Sequence, residues 1–287
     1  MAAPTETLAA PNATAVSTDI VTRAARAIID TGYAVVKLSE LDETRLNTAL
    51  STAVDFFRRP AEFKGAHASE DFNYGYRPFG VEYSVTPDRP DVNECFTLWA
   101  DRLDKIPDAQ GIAPLTDSFL GWRDALAPLV KAVLDEVARH YGVDAAPRFE
   151  NASYLQINYY LQSTSEREFL QDRHEDGHMV TVIHPTKPGL EIYVNGEPQP
   201  ALPAEDEVII MPGSVLTLLS GGKVPPLYHQ VRNLGLDDRQ AIMYFVNPEL
   251  DEPLYGWFDA GKENPEDIRE HVRNAPKMFG LPEVESL

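Results

Sequence analysis

The feature that most constrains this chain is a histidine–acid pair followed, within a strand-rich segment, by a second histidine. His174 and Asp176 are two residues apart, and His229 follows later in the segment. Side chains two apart on an extended strand point to the same face, so the two could approach one ion together while Glu175 points away. The intervening strands and tight turns can return His229 to the same place. Two histidines and one carboxylate on one face of a metal form the facial triad of non-haem Fe(II) oxygenases.

The spacing alone leaves other interpretations open. A His-x-Asp tripeptide arises by chance in many chains, and the plain alternative is a surface turn with a solvated acid. A zinc hydrolase also uses two histidines and a carboxylate around an open position. Serine or cysteine nucleophile chemistry has no support, because the sequence contains neither a Gly-x-Ser-x-Gly motif nor a Cys/His pairing at a recognised spacing.

Strand signals dominate from residue 148 onward. Short runs rich in β-branched and aromatic residues alternate with turn pairs such as Asn195-Gly196 and Pro212-Gly213. Several short strands at near-regular spacing predict a closed or double-sheet β architecture. The predicted strands are 153–161, 179–184, 190–194, 207–211, 215–219, 227–231 and 240–246.

Helical periodicity marks the region before the strands. Apolar residues at helical spacing predict a helix that starts with Ser17 as its N-cap and ends at Gly32. A strand is predicted at 33–38. A second helix is predicted from about residue 41 to just before Pro60, because proline interrupts a helix.

Two further helices are predicted from capping signals. Thr116 is the expected N-cap of a long helix, and Gly142 is its candidate C-cap. After the strands, Asn264 followed by Pro265 indicates a helix start, so residues 265–274 are predicted to be helical.

Composition restricts the partners and the compartment. The formal net charge of −20 would repel nucleic acid and anionic membranes. No apolar stretch approaches transmembrane length, and residues 1–16 lack the basic start and apolar centre of a signal peptide. The single cysteine, Cys95, excludes an internal disulfide and fits a reducing compartment. We expect a cytoplasmic protein with a small-molecule substrate and neither a nucleic-acid nor a membrane partner.

Residues 153–248 resemble the catalytic core of the isopenicillin N synthase-like family of Fe(II)/2-oxoglutarate dioxygenases. The region before them resembles the companion domain of that family, so the resemblance covers most of residues 17–250. Four segments match in order: an Asn-x-Tyr strand in 155–160 (LQINYY), the metal-binding dyad at 174–176 (HED), a hairpin at 188–196 (PGLEIYVNG), and His229 followed by Arg239 and the run YFVNP at 244–248.

This resemblance implies the fold and its division along the chain. The expected fold is mainly β with flanking helices, built on a double-stranded β-helix, which is a distorted jelly roll. The implied units are a disordered tail at 1–16, an N-terminal α/β region at 17–147, the double-stranded β-helix core at 148–250 and a C-terminal helical tail at 251–287.

The resemblance also implies the cofactors and their ligands. Fe(II) is the expected metal, 2-oxoglutarate the co-substrate and O2 the oxidant. Arg239 is expected to clamp the far carboxylate of 2-oxoglutarate, since a guanidinium offers a carboxylate two parallel hydrogen bonds. Tyr160 and Asn158 are implied as helpers in co-substrate binding. The implied metal ligands are His174, Asp176 and His229.

One position departs from the family pattern. The family's Arg-x-Ser reads Arg239-Gln240-Ala241 here. The absent hydroxyl removes a hydrogen bond to a charged group, typically about 1.5–3 kcal/mol, unless another donor such as Tyr160 compensates. A 2-oxoglutarate-independent Fe(II) oxidase, like isopenicillin N synthase, is therefore the nearest alternative. A non-catalytic binding protein on the same scaffold is a further one.

The substrate is indicated only by the habits of the family. They imply a small natural-product or amino-acid-derived molecule that is hydroxylated, desaturated or cyclised in secondary-metabolite biosynthesis, such as antibiotic biosynthesis. The region 60–92, rich in glycine, proline and aromatic residues, often borders the pocket in this family, and ordinary packing of its aromatic rings against the barrel is the alternative. Its candidate substrate-binding residues are Tyr74, Tyr76, Arg77, Phe79 and Tyr83.

The sequence alone does not decide the roles of three residues near the metal dyad. His178 would share the face of His174 on a continuous strand, but the turn suggested by Gly177 would release it. Arg167 and Arg173 could reach a substrate carboxylate or lie solvated in loops. The family further implies that a C-terminal helix packs near the pocket mouth.

Overall fold

The computed structural model describes residues 17–99, 101–160, 166–259, 262–275 and 278. The predicted tail at 1–16 lies outside these residues. The helices are α1 Thr18–Thr31, α2 Glu40–Phe57, α3 Ala61–Gly65, α4 Ala113–His140, α5 Ser214–Leu219 and α6 Ile268–Asn274, with short 3₁₀ turns at Leu103–Lys105 and Ala109–Ile112. The strands are β1 Ala34–Lys37, β2 Gly75–Arg77, β3 Glu94–Trp99, β4 Tyr154–Tyr160, β5 Phe169–His174, β6 Val180–Pro185, β7 Leu190–Val194, β8 Glu197–Pro200, β9 Glu207–Pro212, β10 His229–Arg232 and β11 Arg239–Val246.

Two antiparallel sheets form the core of the molecule. The larger has the order β1-β9-β6-β11-β4-β3-β2, and the smaller has the order β5-β10-β7-β8. From β4 onward the chain passes repeatedly between the sheets: β5, the β7–β8 hairpin and β10 lie in the smaller sheet, and β6, β9 and β11 lie in the larger one. This is a jelly-roll arrangement, and the predicted fold class is confirmed.

The helices before β4 cover the outer face of the larger sheet. Ile28 of α1, Leu46 of α2 and Phe119 of α4 are fully buried in one cluster with Tyr244 and Val246 of β11. β1, β2 and β3 also precede residue 148 and extend the larger sheet. The two predicted units on either side of residues 147 and 148 therefore contribute strands to one hydrogen-bonded sheet.

The ends of α1 and α4 illustrate where capping signals succeed and fail. Gly32 ends α1 at φ +85°, the left-handed conformation that favours glycine. The prediction that Thr116 caps α4 is wrong, because the helix begins at Ala113. The Thr116 hydroxyl instead donates to the Ala113 carbonyl at 3.2 Å, a bond within the first turn.

The predicted strand at 215–219 is wrong, since this segment forms α5. Val215, Leu216 and Leu219 are all fully buried, at a spacing that suits a helix. The run 215–219 is apolar except for Thr217 and is only five residues long. Periodicity in so short a run cannot distinguish a buried strand from a buried helical turn.

The C-terminal helix starts later than predicted. The Asn264 cap and the Pro265 first position are wrong, because α6 begins at Ile268 with Asp267 as its N-cap. The Asp267 carboxylate accepts from the main-chain N–H groups of Arg269 and Leu254, each at 3.1 Å. The contact to Leu254 is tertiary, which is why local signals misplaced the start. None of the described helices is long and apolar enough to cross a membrane.

Candidate metal and co-substrate site

An irregularity in β5 aims the first histidine into the space between the sheets. His229 and Val231 of β10 are two residues apart, whereas their partners on β5, His174 and Gln171, are three apart. The extra residue is a β-bulge, which re-aims a side chain relative to regular alternation. As a result both Gln171 and His174 line the internal cavity.

The structure brings His174, Asp176 and His229 together. Their ligand atoms all lie within 4.8 Å of one another. Nε2 of His174 is 3.8 Å and Nε2 of His229 is 3.9 Å from Oδ1 of Asp176. These separations suit three ligands around one ion better than direct hydrogen bonds.

Main-chain carbonyls fix the orientation of both imidazoles. Nδ1 of His174 is 2.7 Å from the Asp172 carbonyl, and Nδ1 of His229 is 3.1 Å from the Leu227 carbonyl. Nδ1 therefore carries the proton, and the Nε2 lone pair faces Asp176. This outer hydrogen bond is the usual way in which a protein sets the tautomer of a metal-binding histidine.

Asp176 lies beyond the end of β5, in a turn that α5 holds in place. The main-chain N–H of Ser214 donates to the Asp176 carbonyl at 2.9 Å, and that of Val215 donates to the Gly177 carbonyl at 3.1 Å. The Thr181 hydroxyl donates to Oδ2 of Asp176 at 2.6 Å, which leaves Oδ1 for the histidines. Sequence reasoning missed Thr181 and α5, because no local motif links either to the dyad.

Burial and mutual charge set the ionisation of the cluster. Burial, with a smaller contribution from His174, lowers the pKa of His229 to about 4. Burial alone would raise the pKa of the Asp176 carboxyl, but His229 and His174 outweigh it and hold that pKa below its ordinary value. At neutral pH the site therefore offers a neutral imidazole and a carboxylate, the forms that ligate a metal.

The donor set fits a divalent transition metal. Two imidazole nitrogens and one carboxylate oxygen converge from one side, and the other side faces a cavity of about 630 Å³. A three-residue face with open positions is the arrangement of non-haem Fe(II) sites.

Arg239 places a buried positive charge in the same cavity. The residue is 2% exposed, and its Nε donates to the Pro188 carbonyl at 3.1 Å. Its guanidinium carbon lies 4.5 Å from the centre of the Tyr160 ring. Nη1 and Nη2 have no hydrogen-bond partner among the described residues. Leaving such donors unsatisfied is costly, so the geometry fits a bound carboxylate such as the far end of 2-oxoglutarate.

The predicted helpers and the departing alanine lie beside Arg239. Asn158, Tyr160 and Ala241 all line the cavity. The Tyr160 hydroxyl donates to Oε1 of Gln171 and accepts from Nδ2 of Asn158 at 3.4 Å. Its proton is therefore already used within the protein, and it does not stand in for the hydroxyl that Ala241 lacks.

Two of the five substrate-binding candidates reach the cavity. Arg77 and Tyr83 line it, next to Glu82. Arg77 is 7% exposed, forms an ion pair with Glu82, and donates from Nε to the Phe72 carbonyl at 2.8 Å. Its charge is thus balanced by the protein itself.

The other three candidates are not among the residues that line this cavity. Tyr74 is buried, and its hydroxyl accepts from Nη1 of Arg102 at 3.1 Å. Tyr76 is buried in the helix-facing core, and its hydroxyl donates to Glu94. Phe79 is 54% exposed. Aromatic composition located the segment correctly but could not show which ring faces inward.

His178 faces the cavity without joining the cluster of possible ligands. It stacks on Phe245 with ring centres 4.5 Å apart, and its Nε2 is 3.2 Å from the Tyr154 hydroxyl. Burial lowers the pKa of His178 to about 4, so it is neutral. Asn274, Ala275 and Met278, at the end of α6 and beyond, also line the cavity.

The two arginines whose roles the sequence left undecided have different surroundings. Arg173 is exposed and lies over two rings, 4.6 Å from the centre of Tyr193 and 4.5 Å from that of Tyr228. Arg173 lines the cavity, so it remains available at the mouth. Arg167 does not line the cavity, and its Nη1 donates to the Pro90 carbonyl.

Two family models match this chain. The family model described as the 2OG-Fe(II) oxygenase superfamily matches residues 151–248. A second, described as the N-terminal part of non-haem dioxygenases in morphine synthesis, matches residues 5–114. The two matches correspond to the two regions in which the sequence resembled the dioxygenase family, and the predicted family is confirmed.

Individual relatives agree with the family matches. The 2-oxoglutarate-dependent dioxygenase FG08081 of Gibberella zeae is 24% identical over 219 residues, which cover 70% of this chain and 65% of that protein. The chain thus spans slightly less than two thirds of the length of this curated relative.

Solved structures of low sequence identity share the fold. T7H of Neurospora crassa, in complex with alpha-KG, superimposes with a TM-score of 0.73 at 18% identity, covering 88% of each chain. A 2OG-Fe(II) oxygenase family protein from Caulobacter crescentus gives a TM-score of 0.74 at 20% identity, covering 91% of this chain and 95% of that one.

Proposed function

We propose that this chain, which belongs to the 2OG-Fe(II) oxygenase superfamily, is a non-haem Fe(II)/2-oxoglutarate-dependent dioxygenase acting on a small molecule. One observation carries the proposal. A cavity of about 630 Å³ contains both the His174–Asp176–His229 cluster and Arg239, whose terminal nitrogens are buried without a described partner. A metal site alone would not need a buried arginine in the same cavity, and a buried arginine with only a structural role normally has hydrogen-bond partners for its terminal nitrogens.

His174, Asp176 and His229 are the proposed iron ligands. The bond from Thr181 to Asp176 leaves one carboxylate oxygen for the metal, and the carbonyls of Asp172 and Leu227 direct both Nε2 atoms inward. These outer contacts hold the ligands in place before the ion arrives, which lowers the cost of ordering them.

Arg239 is the proposed partner of the far carboxylate of 2-oxoglutarate. The carbonyl of Pro188 and the ring of Tyr160 fix the guanidinium, so that Nη1 and Nη2 face the cavity. Tyr160 therefore assists by supporting Arg239 with its ring. Asn158, which donates to the Tyr160 oxygen, steadies that ring.

The bound iron and 2-oxoglutarate would supply oxidative decarboxylation to succinate and CO2, coupled through O2 to oxidation of a substrate C–H bond. The protein contributes orientation and exclusion of water. Tyr154, His178 and Phe245 form an aromatic wall beside Asp176, and Asn274 and Met278 cover the cavity from the C-terminal side. Exclusion of water from the site would favour productive over wasteful oxidation.

The class of substrate and its fate are also proposed. A cavity of this size accommodates a small molecule, and T7H of Neurospora crassa has been solved with thymine. Hydroxylation, desaturation or cyclisation in secondary-metabolite biosynthesis is the proposed role, with a cytoplasmic location. The net charge of −20 supports the exclusion of nucleic acid as a partner.

Succinate formation tests the proposal. Protein reconstituted with Fe(II) is incubated with 2-oxoglutarate in air, and succinate is quantified. We expect slow, iron-dependent succinate formation in the absence of substrate. The His229→Ala variant should abolish it, whereas His140→Ala, an exposed histidine at the end of α4, should not.

The same assay separates the alternatives. Ala241 favours a 2-oxoglutarate-independent oxidase, which would bind iron yet form no succinate. A non-catalytic binding protein would show neither iron-dependent succinate nor a difference between the two histidine variants. Either result would contradict the proposed dioxygenase.

A further inference from the structure

A ladder of polar side chains runs along the inward face of β4. Oγ1 of Thr97 donates to Oε1 of Gln156 at 3.1 Å. Nε2 of Gln156 donates to Oδ1 of Asn158 at 2.9 Å, and Nδ2 of Asn158 donates to the Tyr160 oxygen at 3.4 Å. The three β4 residues are two apart, so a single face of the strand carries them all.

The ladder continues into the smaller sheet and ends on a buried acid. Tyr160 donates to Oε1 of Gln171, and Nε2 of Gln171 donates to Oδ2 of Asp91 at 3.0 Å. The Ser84 hydroxyl and main-chain N–H also donate to Asp91, at 2.7 and 3.2 Å. Asp91 is 1% exposed, and no cation contacts it in the part of the chain that the structure describes.

Every bond in this ladder has its donor on the side away from Asp91. A carboxylate only accepts hydrogen bonds, so the amide of Gln171 must turn its nitrogen towards Asp91 and its oxygen towards Tyr160. Tyr160 must then donate to Gln171 and accept from Asn158. An amide can be rotated and a hydroxyl can donate in either direction, whereas an ionised carboxylate has no proton to donate and can only accept. The polarity of the whole ladder therefore originates at Asp91.

We propose that Asp91 is a positioning residue for co-substrate binding. Through Gln171 it orients the Tyr160 hydroxyl and thereby keeps the Tyr160 ring beneath Arg239. Asp91 itself touches neither the possible metal ligands nor Arg239 in the described contacts. The inference rests on the proposed function, because it assigns Asp91 a role in holding 2-oxoglutarate at Arg239.

The test is a double-mutant cycle on 2-oxoglutarate binding. Protein loaded with Mn(II), without oxygen, is titrated with 2-oxoglutarate by calorimetry for the wild type, Asp91→Asn, Tyr160→Phe and the double variant. Each single variant should weaken binding about tenfold, because Asp91→Asn replaces a group that can only accept with an amide that can also donate, and Tyr160→Phe removes the hydroxyl within the ladder. The double variant should bind no more weakly than Tyr160→Phe alone, since both changes break one ladder.

Two further variants separate positioning from stability. Gln171→Met breaks the ladder between Asp91 and Tyr160 and should reproduce the loss even if Asp91→Asn folds poorly. Glu94→Gln neutralises another buried carboxylate, which pairs with Lys64 outside the cavity. It should lower the melting temperature and leave 2-oxoglutarate affinity unchanged.

The outcomes distinguish this inference from the function on which it rests. If the wild type binds 2-oxoglutarate and either Asp91→Asn or Gln171→Met binds it with the same affinity, the positioning role alone is overturned. Additive losses in the double variant would also overturn it. A wild type that binds Mn(II) but no 2-oxoglutarate would overturn both the proposed function and this inference.

Discussion

Arg239 and Tyr160 are cross-strand partners, and the guanidinium of the first lies 4.5 Å from the ring centre of the second. The pairing of β11 with β4 places them side by side, and neither residue is more than 2% exposed. A cation buried against an aromatic face, with both terminal nitrogens lacking a described partner, is prepared for an anion. This relationship links the sheet register to the proposed binding of 2-oxoglutarate.

Replacing Arg239 should remove 2-oxoglutarate binding while leaving metal binding intact. Arg239→Met loses two hydrogen bonds to a charged group, so affinity should fall at least roughly a hundredfold. Calorimetry with the Mn(II)-loaded protein measures it. Arg148→Met, at an arginine whose side chain is 61% exposed, is the control and should bind like the wild type. Equal affinity in the two variants would argue against the clamp.

Restoring a hydroxyl at residue 241 should strengthen the site. Ala241 lies two residues from Arg239 on the cavity face of β11 and is 2% exposed. Ala241→Ser should tighten 2-oxoglutarate binding by about tenfold, because it adds a donor to a charged group. Ala241→Val adds bulk without a donor and should weaken binding. An unchanged affinity for the serine variant would mean that the carboxylate is already satisfied.

Gly213 should tolerate no side chain, because it packs against the metal-binding turn. A Cβ there would lie 2.3 Å from the His178 carbonyl oxygen and 2.7 Å from that of Asp176. Gly213→Ala should displace Asp176 and weaken Fe(II) binding at least tenfold, as measured by anaerobic competition with a chelator.

Gly121 offers a matched control for this glycine. It lies within α4, and a Cβ would have no neighbour within 4 Å. Gly121→Ala should therefore keep iron affinity and stabilise the fold by up to about 1 kcal/mol. A Gly213→Ala protein with wild-type iron affinity would show that the turn does not depend on this contact.

His184 should make stability depend on pH. Burial lowers its pKa below the ordinary 6.5, although a bond of 2.7 Å to the Glu207 carbonyl opposes this. Because the unfolded chain binds the proton more readily, the contribution to stability is complete above about pH 6.5 and is lost as the pH falls below it. Urea unfolding of the metal-free protein should show a shallower acid loss in His184→Asn than in the wild type. Parallel curves would contradict the assignment.

The family, the β architecture and the three clustered residues were accessible from sequence. Ordered motifs carried them: the histidine–acid dyad, the Asn-x-Tyr strand and the hairpin at 188–196. Such motifs record which residue types must meet, and the sheet register then brings His174 opposite His229.

Features set by tertiary contacts were not accessible. The bulge in β5 and the bonds from α5 to Asp176 depend on strands and helices distant in sequence. The ladder ending at Asp91 joins β3, β4, β5 and the loop before β3, so no local pattern reveals it. Likewise, Tyr76 and Arg77 are adjacent on β2, but only the packing of α2 and α3 shows that the tyrosine faces the core.

An anaerobic titration with Fe(II) and then 2-oxoglutarate, followed by visible absorbance, shows whether both bind at this site. We expect a weak charge-transfer band that requires both additions, is absent in His229→Ala, and is lost at matched concentrations in Arg239→Met. Iron binding without this band would contradict 2-oxoglutarate dependence and favour the oxidase. A band of equal intensity in His229→Ala would contradict the proposed metal site.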